Sequence, residues 1–471
     1  MSVSVLVIGA GPAGLSAAVA AADAGAMVTL LDAGDGLGGQ YWRHLPPERS
    51  SVREARLHHG WPLFERLRER VAADEAITVL TEAQVWAVET TGAVTVRVLV
   101  GPADAAGREP LALAADAIVF ATGAHDRTLP FPGWNLPGTF SAGAAQALAK
   151  GERIAVGRRA VVAGAGPFLL PVARSLTDAG AEVLGVYEAA RPLHAAKGWL
   201  ARPHRLLGAA RKGPELAGYL GHHLRRRIPY RLGAAVVEAR GEGRVEEAVI
   251  ARLDADWAPV PGTERTVAVD AVCVSHGFTP RLELPIAAGC RTGPDRFVLV
   301  DADQRTSVPG VYAAGEITGI GGVDAALVEG RIAGHRAAGG DRSALRADLR
   351  RRRAADDVAR RIEAAHGVRP GWRAWLRDDT VVCRCEEVPY GRLRDTAAAT
   401  AQDSLRSLKL TTRAGLGICQ ARMCGRTVEE LTGAAPASAA DTSDQRPLAA
   451  PIRLGDLAGL ATTPHGGKDT Q

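Results

Sequence analysis

Val3–Ile8 is a short apolar run of the buried parallel-strand type, and Gly9-Ala10-Gly11-Pro12-Ala13-Gly14 follows it at once. A helix then runs through Ala22, and a second strand, Met27–Leu31, ends on Asp32. Few folds accept this order. Gly9 permits a tight turn, Gly11 lets a pyrophosphate approach the backbone, and Gly14 lets the helix pack closely on the strand. Pro12 and Ala13 open the helix, where free N–H groups and the helix dipole favour anions. Asp32 is placed to accept hydrogen bonds from ribose hydroxyls.

The same alternation continues. Strands are expected at Thr78–Leu80, Val94–Val100 and Ala117–Ala121, and a second strand–glycine–helix–strand unit runs from Ala160–Ala163 to Val183–Tyr187. Ala271–Ser275 and Val311–Ala314 follow, with a helix from Val323 to Ala337. The fold class is α/β with parallel sheets, and 471 residues call for two or three domains. The expected division is 1–125 with 271–340 as one unit, 126–270 as a second, 341–375 as an arginine-rich helical linker, and 376–433 as a small cysteine-bearing domain. From Ala434 the composition turns to Ala, Pro, Ser, Thr and Asp, which cannot bury a core, so 434–471 is expected to be a disordered tail with one apolar island at Ile452–Leu460.

Two segments near the first unit, Gly38-Gly39-Gln40 and Ala121-Thr122-Gly123, together with Val311-Tyr312-Ala313-Ala314-Gly315-Glu316, resemble the two-dinucleotide-domain flavin reductases, the class of thioredoxin reductase. The resemblance implies FAD on Gly9, Gly11, Pro12, Ala13, Gly14, Asp32, Gly39, Gln40, Thr122, Gly123, Gly315 and Glu316. In that class an Ala-Gly-Asp segment meets the ribityl and phosphate part of FAD, and here Glu316 stands one methylene longer. The second turn, Gly164-Ala165-Gly166-Pro167-Phe168-Leu169, lies where the class binds NAD(P)H. Leu169 replaces the third glycine on the face that should meet the strand, which argues against intact NAD(P) use. Glu188 could still hold a ribose. A scaffold without cofactor, or a pocket for another nucleotide, are the other readings.

Cys383-Arg384-Cys385 and Cys419-Gln420-Ala421-Arg422-Met423-Cys424 put four soft ligands in one small segment, as an Fe–S cluster or zinc requires. A redox disulfide would leave the C-x-C pair unemployed, and zinc sites more often show C-x2-C spacing. The stretch "VCRCEEV…LKLTTRAGLGICQARMC" resembles the bacterioferritin-associated-ferredoxin-like [2Fe-2S] domain, with Arg384, Arg413 and Arg422 set to offset the cluster's negative charge. Cys273 and Cys290 are isolated, and core packing is expected for Cys273.

Across nearly its whole length the chain resembles the FAD- and [2Fe-2S]-containing α subunit of heteromeric amino- and imino-acid dehydrogenases, the group of opine oxidases, hydrogen cyanide synthase and D-hydroxyproline dehydrogenase. "ATGAHDRTLPFPGW", "AGAGPFLLPVA", "GEITGIGGVDAALVEGRIAG" and "CRCEEV" carry the likeness. It implies an electron relay served by an FAD-containing β subunit, in some members with an FMN between subunits and a small ferredoxin-like subunit. The rivals are a self-sufficient NAD(P)H-dependent reductase and a non-enzymatic redox-sensing module. No catalytic residue is apparent: His125, His194, His222, His223 and His276 lack recognisable partners.

A net charge of +5 over the whole chain and the absence of a nucleic-acid motif argue against a nucleic-acid partner. No run of about 18 apolar residues free of charge suggests a membrane span. Six cysteines are no disulfide framework, so a cytoplasmic, reducing location is expected. The stretch Arg342–Arg361 reads as a solvated helix balanced by Asp348, Asp356 and Asp357.

Overall fold

The structure is a computed structural model. It describes residues 2–49, 54–89, 94–103, 105–201, 213–400, 405–433, 442–446 and 448–461. Two five-stranded sheets carry the architecture, and in both every pairing is parallel. The first runs Val311–Ala313, Ala117–Phe120, Ser4–Ile8, Met27–Leu31, Ile77–Leu80. The second runs Tyr230–Leu232, Glu182–Glu188, Arg159–Gly164, Ala271–Ser275, Thr139–Ser141. Their central strands are apolar at nearly every position because both faces are covered, one by helices and the other by an antiparallel layer.

The two units are built alike. In each, the strand before the glycine turn pairs on one side with the acid-bearing strand and on the other with a strand that arrives late in the chain. Ile8 lies opposite Leu31 and Phe120, and Gly164 lies opposite Glu188 and Ser275. Each unit also carries a three-stranded antiparallel layer: Ala83–Glu89, Thr95–Val100 and Glu109–Ala114 in one, Ala234–Arg240, Glu247–Arg252 and Arg265–Ala268 in the other.

This symmetry corrects the expected boundary at 271. Ala271–Ser275 belongs to the second sheet, where Val272 and Cys273 pair with Val161 and Val162. The chain returns to the first unit through Phe278–Pro280, which pairs antiparallel with the outgoing Ala124–Asp126. A buried apolar strand fits either sheet by pattern, and only the pairing decides.

The arginine-rich stretch is the helix Arg346–His366, longer than expected, and it is no free linker. It packs on the helices Pro192–Leu200 and Val323–Ala337. Part of the polar tail is folded as well, against expectation. Arg446 pairs with Glu283 at 2.6 Å, and the Ala449 N–H donates to the Trp86 carbonyl at 2.8 Å. Ala450 fills against Trp86 and Leu99, and Leu454–Ala461 is helical. Composition measures what a segment can bury by itself, whereas this one is anchored by charges and apolar side chains of another part of the chain. Residues 434–441, 447 and 462–471 lie outside the described residues.

The helix Pro12–Asp23 crosses Val323–Ala337 at very short range. A Cβ on Gly330 would stand 2.0 Å from the Ala13 carbonyl oxygen, and one on Gly334 would stand 2.0 Å from that of Ala17. Backbone cannot yield as a side chain can. Gly334→Leu should lower stability by roughly 2–3 kcal/mol, the upper range for overpacking a filled interface. Denaturant unfolding read by circular dichroism measures it, and an unchanged midpoint would contradict the packing.

Candidate cofactor-binding sites

The glycines of the first turn do different work. Gly9 adopts φ +104°, and a Cβ there would meet the Ala121 carbonyl oxygen at 2.3 Å. A Cβ on Gly14 would lie 1.7 Å from the Gly9 carbonyl oxygen. Both are demanded by the protein's own packing. Gly11 is not: its φ of −73° suits any residue, and its Cβ would meet nothing nearer than the Gly39 Cα at 4.0 Å. The space above it is open, as a pyrophosphate on the N-terminus of the helix Pro12–Asp23 requires.

Other predicted residues close round this turn. The Gly38 N–H donates to the Ala10 carbonyl at 2.9 Å, while Gly39, at φ +58°, would put a Cβ 2.9 Å from the Gly11 Cα. Gln40 is exposed beside them. Gly315, at φ +81°, lies against Ala13, and Thr122-Gly123 directly follow the Ala121 that touches Gly9. Glu316 takes the Gly322 N–H on its Oε1 at 2.8 Å, at the start of the helix Val323–Ala337. Asp32 accepts the Ala10 N–H at 2.6 Å and the Gly34 N–H at 2.7 Å. Burial raises its pKa, against the pull of those two N–H groups and of Arg281. A carboxylate accepts at about four lone-pair positions, so two remain for a ribose diol.

Glu329 is the residue that sequence reasoning missed. Its Oε2 accepts the Gly315 N–H at 2.8 Å and the Thr318 hydroxyl at 2.7 Å from beneath the loop. Burial lifts its pKa to about 7. Its place on the inner face of an apolar helix was the only available signal.

The second unit departs from the first at Leu169. The first helix opens at Pro12, with the Leu15 N–H bonded to the Gly11 carbonyl at 2.9 Å. The second opens at Leu169 itself, after a loose turn in which the Leu169 N–H reaches the Gly166 carbonyl at 3.3 Å. Leu169 is fully buried with Val172, Ala173 and Leu176. Glu188 is fully buried too, under Tyr230 and His366.

The four cysteines of the C-terminal segment come together as two pairs, Cys383 with Cys424 and Cys385 with Cys419. Cys383 and Cys424 are buried, and Cys385 is exposed. The Cys424 S–H and backbone N–H groups of Gly415, Cys385 and Glu386 stabilise the Cys383 thiolate, lowering its pKa to about 6. Among the described residues no three His, Cys, Asp or Glu side chains converge on a single-ion site. Two pairs of thiolates fit two irons better than one zinc. The three arginines expected to offset the cluster also have partners of their own, and the charge of Arg384 interacts with Cys385. Arg413 pairs with Glu386 at 2.6 Å, Arg422 with Glu283 at 2.7 Å, and Arg384 lies over the Trp134 ring at 5.1 Å.

The cysteine segment is joined to the first unit. The Thr122 hydroxyl donates to the Arg281 carbonyl at 2.9 Å, and the Arg281 N–H donates to the Gly123 carbonyl at 2.9 Å. Glu283, two residues on, holds Arg422 between the last two cysteines. The His125 Nε2–H donates to the Arg422 carbonyl at 3.1 Å.

The other histidines are structural. His276 is buried between Trp257 and Trp375, takes the Leu129 N–H on Nδ1, and burial lowers its pKa to about 3. His222 meets the Thr177 hydroxyl at 2.8 Å, and His223 is buried beside it. His194 lies half-buried on the helix Pro192–Leu200. Cys273 is a core residue, its pKa pushed up to about 12.

The family model for pyridine nucleotide-disulphide oxidoreductases matches residues 3–338. The chain belongs to this family. Residues 381–432 match the BFD-like [2Fe-2S] binding domain. Hydrogen cyanide synthase subunit HcnB of Pseudomonas aeruginosa is 32% identical, over 90% of this chain and 91% of that one. An opine oxidase subunit from Rhizobium meliloti is 33% identical, over 97% of this chain and 98% of that one. An L-proline dehydrogenase structure from P. horikoshii shares the fold, with a TM-score of 0.65 and 20% identity over 97% of this chain and 79% of that one. This member of the family is thus an FAD-dependent oxidoreductase with a [2Fe-2S] domain, and among its described residues no helix is long and apolar enough to cross a membrane.

Two measurements test the first site. Gly11→Val should leave the unfolding midpoint of the flavin-free protein unchanged yet weaken FAD at least about tenfold, since only the ligand needs that space. Flavin retained on gel filtration, with free FAD titrated back, reads the loss. Glu329 gives a pH signature. Its folded pKa of about 7 exceeds the ordinary 4.5, so its contribution is full below pH 4.5 and lost as pH rises through 7. At about 1.4 kcal/mol per pKa unit this is roughly 3 kcal/mol, and Glu329→Gln should flatten that part of the stability–pH curve.

Proposed function

We propose that this chain is the FAD- and [2Fe-2S]-carrying electron-transfer subunit of a heteromeric dehydrogenase that oxidises an amino acid, imino acid or opine. A partner subunit with its own FAD would remove electrons from the substrate, an FMN would sit at the interface in the manner the family resemblance implies, and a small ferredoxin-like subunit would complete the complex. The observation that carries this reading is the short covalent and hydrogen-bonded route from Gly123 to Arg422. The cysteine loop is held on the strand Ala124–Asp126, which directly follows Thr122-Gly123.

FAD exchanges electrons in pairs or singly and a [2Fe-2S] cluster takes them singly, so the two together convert one kind of transfer into the other. The chain's own residues hold, orient and shield. Gly11 and Gly39 keep the backbone open to the pyrophosphate, and Asp32 offers two free acceptor positions to a ribose. Cys383, Cys385, Cys419 and Cys424 would hold the cluster, with Cys383 and Cys424 buried and Cys385 exposed. The histidines most plausible as bases, His125 and His276, are both committed to backbone groups. A separate subunit for substrate chemistry accords with that.

The purified chain should show flavin absorbance and the electron paramagnetic resonance of a reduced [2Fe-2S] cluster, yet turn over no amino acid, imino acid or opine until the partner is added. Cys424→Ser should keep the flavin, lose the cluster signal and abolish acceptor reduction in the reconstituted complex. Vigorous turnover by the isolated chain would end the division of labour proposed here.

A further inference from the structure

We infer that the second dinucleotide site is filled by the chain itself: the imidazole of His366, backed by the indole of Trp199, stands where a nucleotide's ribose and pyrophosphate would lie. The two units share one geometry, so position can be compared with position. Gly166 answers to Gly11 and Glu188 to Asp32. The clearance over the two glycines is alike, but the neighbour differs: a Cβ on Gly11 would have the Gly39 Cα of the site's own loop at 4.0 Å, whereas one on Gly166 would have the His366 Cβ, from a distant helix, at 4.0 Å.

The acids differ in the same sense. Among the described residues Asp32 accepts two hydrogen bonds and is half-buried. Glu188 has 0% exposure and accepts three: the Gly166 N–H at 2.8 Å, the Ala190 N–H at 3.1 Å and the Tyr230 hydroxyl at 3.2 Å. The Nδ1 of His366 faces its Oε1 at 3.3 Å. The Trp199 Nε1–H donates to the His366 Nε2 at 3.1 Å, which requires that nitrogen to be unprotonated and leaves the proton on Nδ1, towards Glu188. Three donors hold the carboxylate, and the His366 ring, its Nδ1 making no hydrogen bond, closes it off from solvent. Enclosed in this way, Glu188 presents no open face to ribose hydroxyls.

The filling is built in on both sides. A Cβ on Gly198 would stand 2.5 Å from the Ala365 nitrogen, so the helices Pro192–Leu200 and Arg346–His366 touch backbone to backbone next to the two rings. Arg361, 4% exposed, donates to the Trp199 carbonyl and pairs with Asp357 at 2.7 Å. The late start of the helix at Leu169 withdraws N–H groups that a pyrophosphate would use. Tight packing on one face, an enclosed and hydrogen-bonded carboxylate on the other and a retracted helix all exclude a nucleotide.

Direct binding tests this apart from any electron transfer, so it stands or falls separately from the relay reading, which flavin and cluster content decide. The flavin-loaded protein titrated with NADH or NADPH to about 1 mM should show no saturable change in fluorescence or calorimetry, and saturation at about 100 μM or below would overturn the inference. Trp199→Ala with His366→Gly should open the space and give saturable NADH or AMP binding at least about tenfold tighter than the parent. His366→Ala removes only the ring at the end of its helix and serves if the double variant does not fold. A folded variant with no gain would show that these rings are not what excludes the nucleotide.

Discussion

Gly330 and Gly334 allow two helices from opposite ends of the chain to meet backbone on backbone. With any side chain at either position the helix Val323–Ala337 would have to stand off from Pro12–Asp23. Gly315, which lies just before that helix and rests against Ala13, would move with it. The first nucleotide site therefore exists only because this crossing is close. Its turn comes from residues 9–14 and its facing loop from 315–316, some three hundred residues later. The second sheet is in effect an insertion whose two connecting strands, Ala124–Asp126 and Phe278–Pro280, run side by side.

Two copies of one supersecondary unit thus meet different ends. A carboxylate taken out of water must be supplied with donors or it is costly to bury. At Asp32 the protein supplies two and leaves the acid half-buried, so the remaining demand is met from outside. At Glu188 the protein supplies three, two from backbone and one from Tyr230 on the neighbouring strand, and His366 from a helix almost two hundred residues later covers the acid, which is wholly enclosed. Leu169 is consistent with that outcome. Once no phosphate has to be held, the first turn of the helix can give way to apolar packing against Val172 and Leu176.

The parts written locally were legible. Strands, turns and acids of both units, the helix Val323–Ala337 and the four cysteines all follow from short patterns, because period, turn chemistry and thiol spacing are read within a dozen residues. Leu169 correctly marked the second turn as altered. What stayed hidden was every partnership between distant residues. His366 lies in a stretch whose charge suggests only a solvated helix, and nothing near Glu188 announces it. The pairing of Ala271–Ser275, the anchoring of Arg446 on Glu283 and the burial of Glu329 under Gly315 are likewise long-range. Composition was misleading for the tail, since it weighs what a segment holds and not what it fits against.

The cysteine segment shows the same principle in its electrostatics. Counting charges along the sequence suggests that Arg384, Arg413 and Arg422 offset a thiolate-ligated cluster. In the folded chain Arg413 is paired with Glu386, whereas Arg422 shares Glu283 with Arg446, so that two cations face one carboxylate. Closer to the thiolates stand Arg384, whose charge interacts with Cys385, and backbone N–H groups: those of Gly415, Cys385 and Glu386 on Cys383, and that of Cys419 on Cys385. Hydrogen bonds to cluster sulfurs are among the protein's main controls of potential. Arg422 serves a different purpose. By pairing with Glu283 at the start of the helix Glu283–Ala287, and through its carbonyl with His125 beside Gly123, it ties the loop between the last two cysteines to the first unit, fixing the separation of two redox groups whose exchange of electrons depends on it.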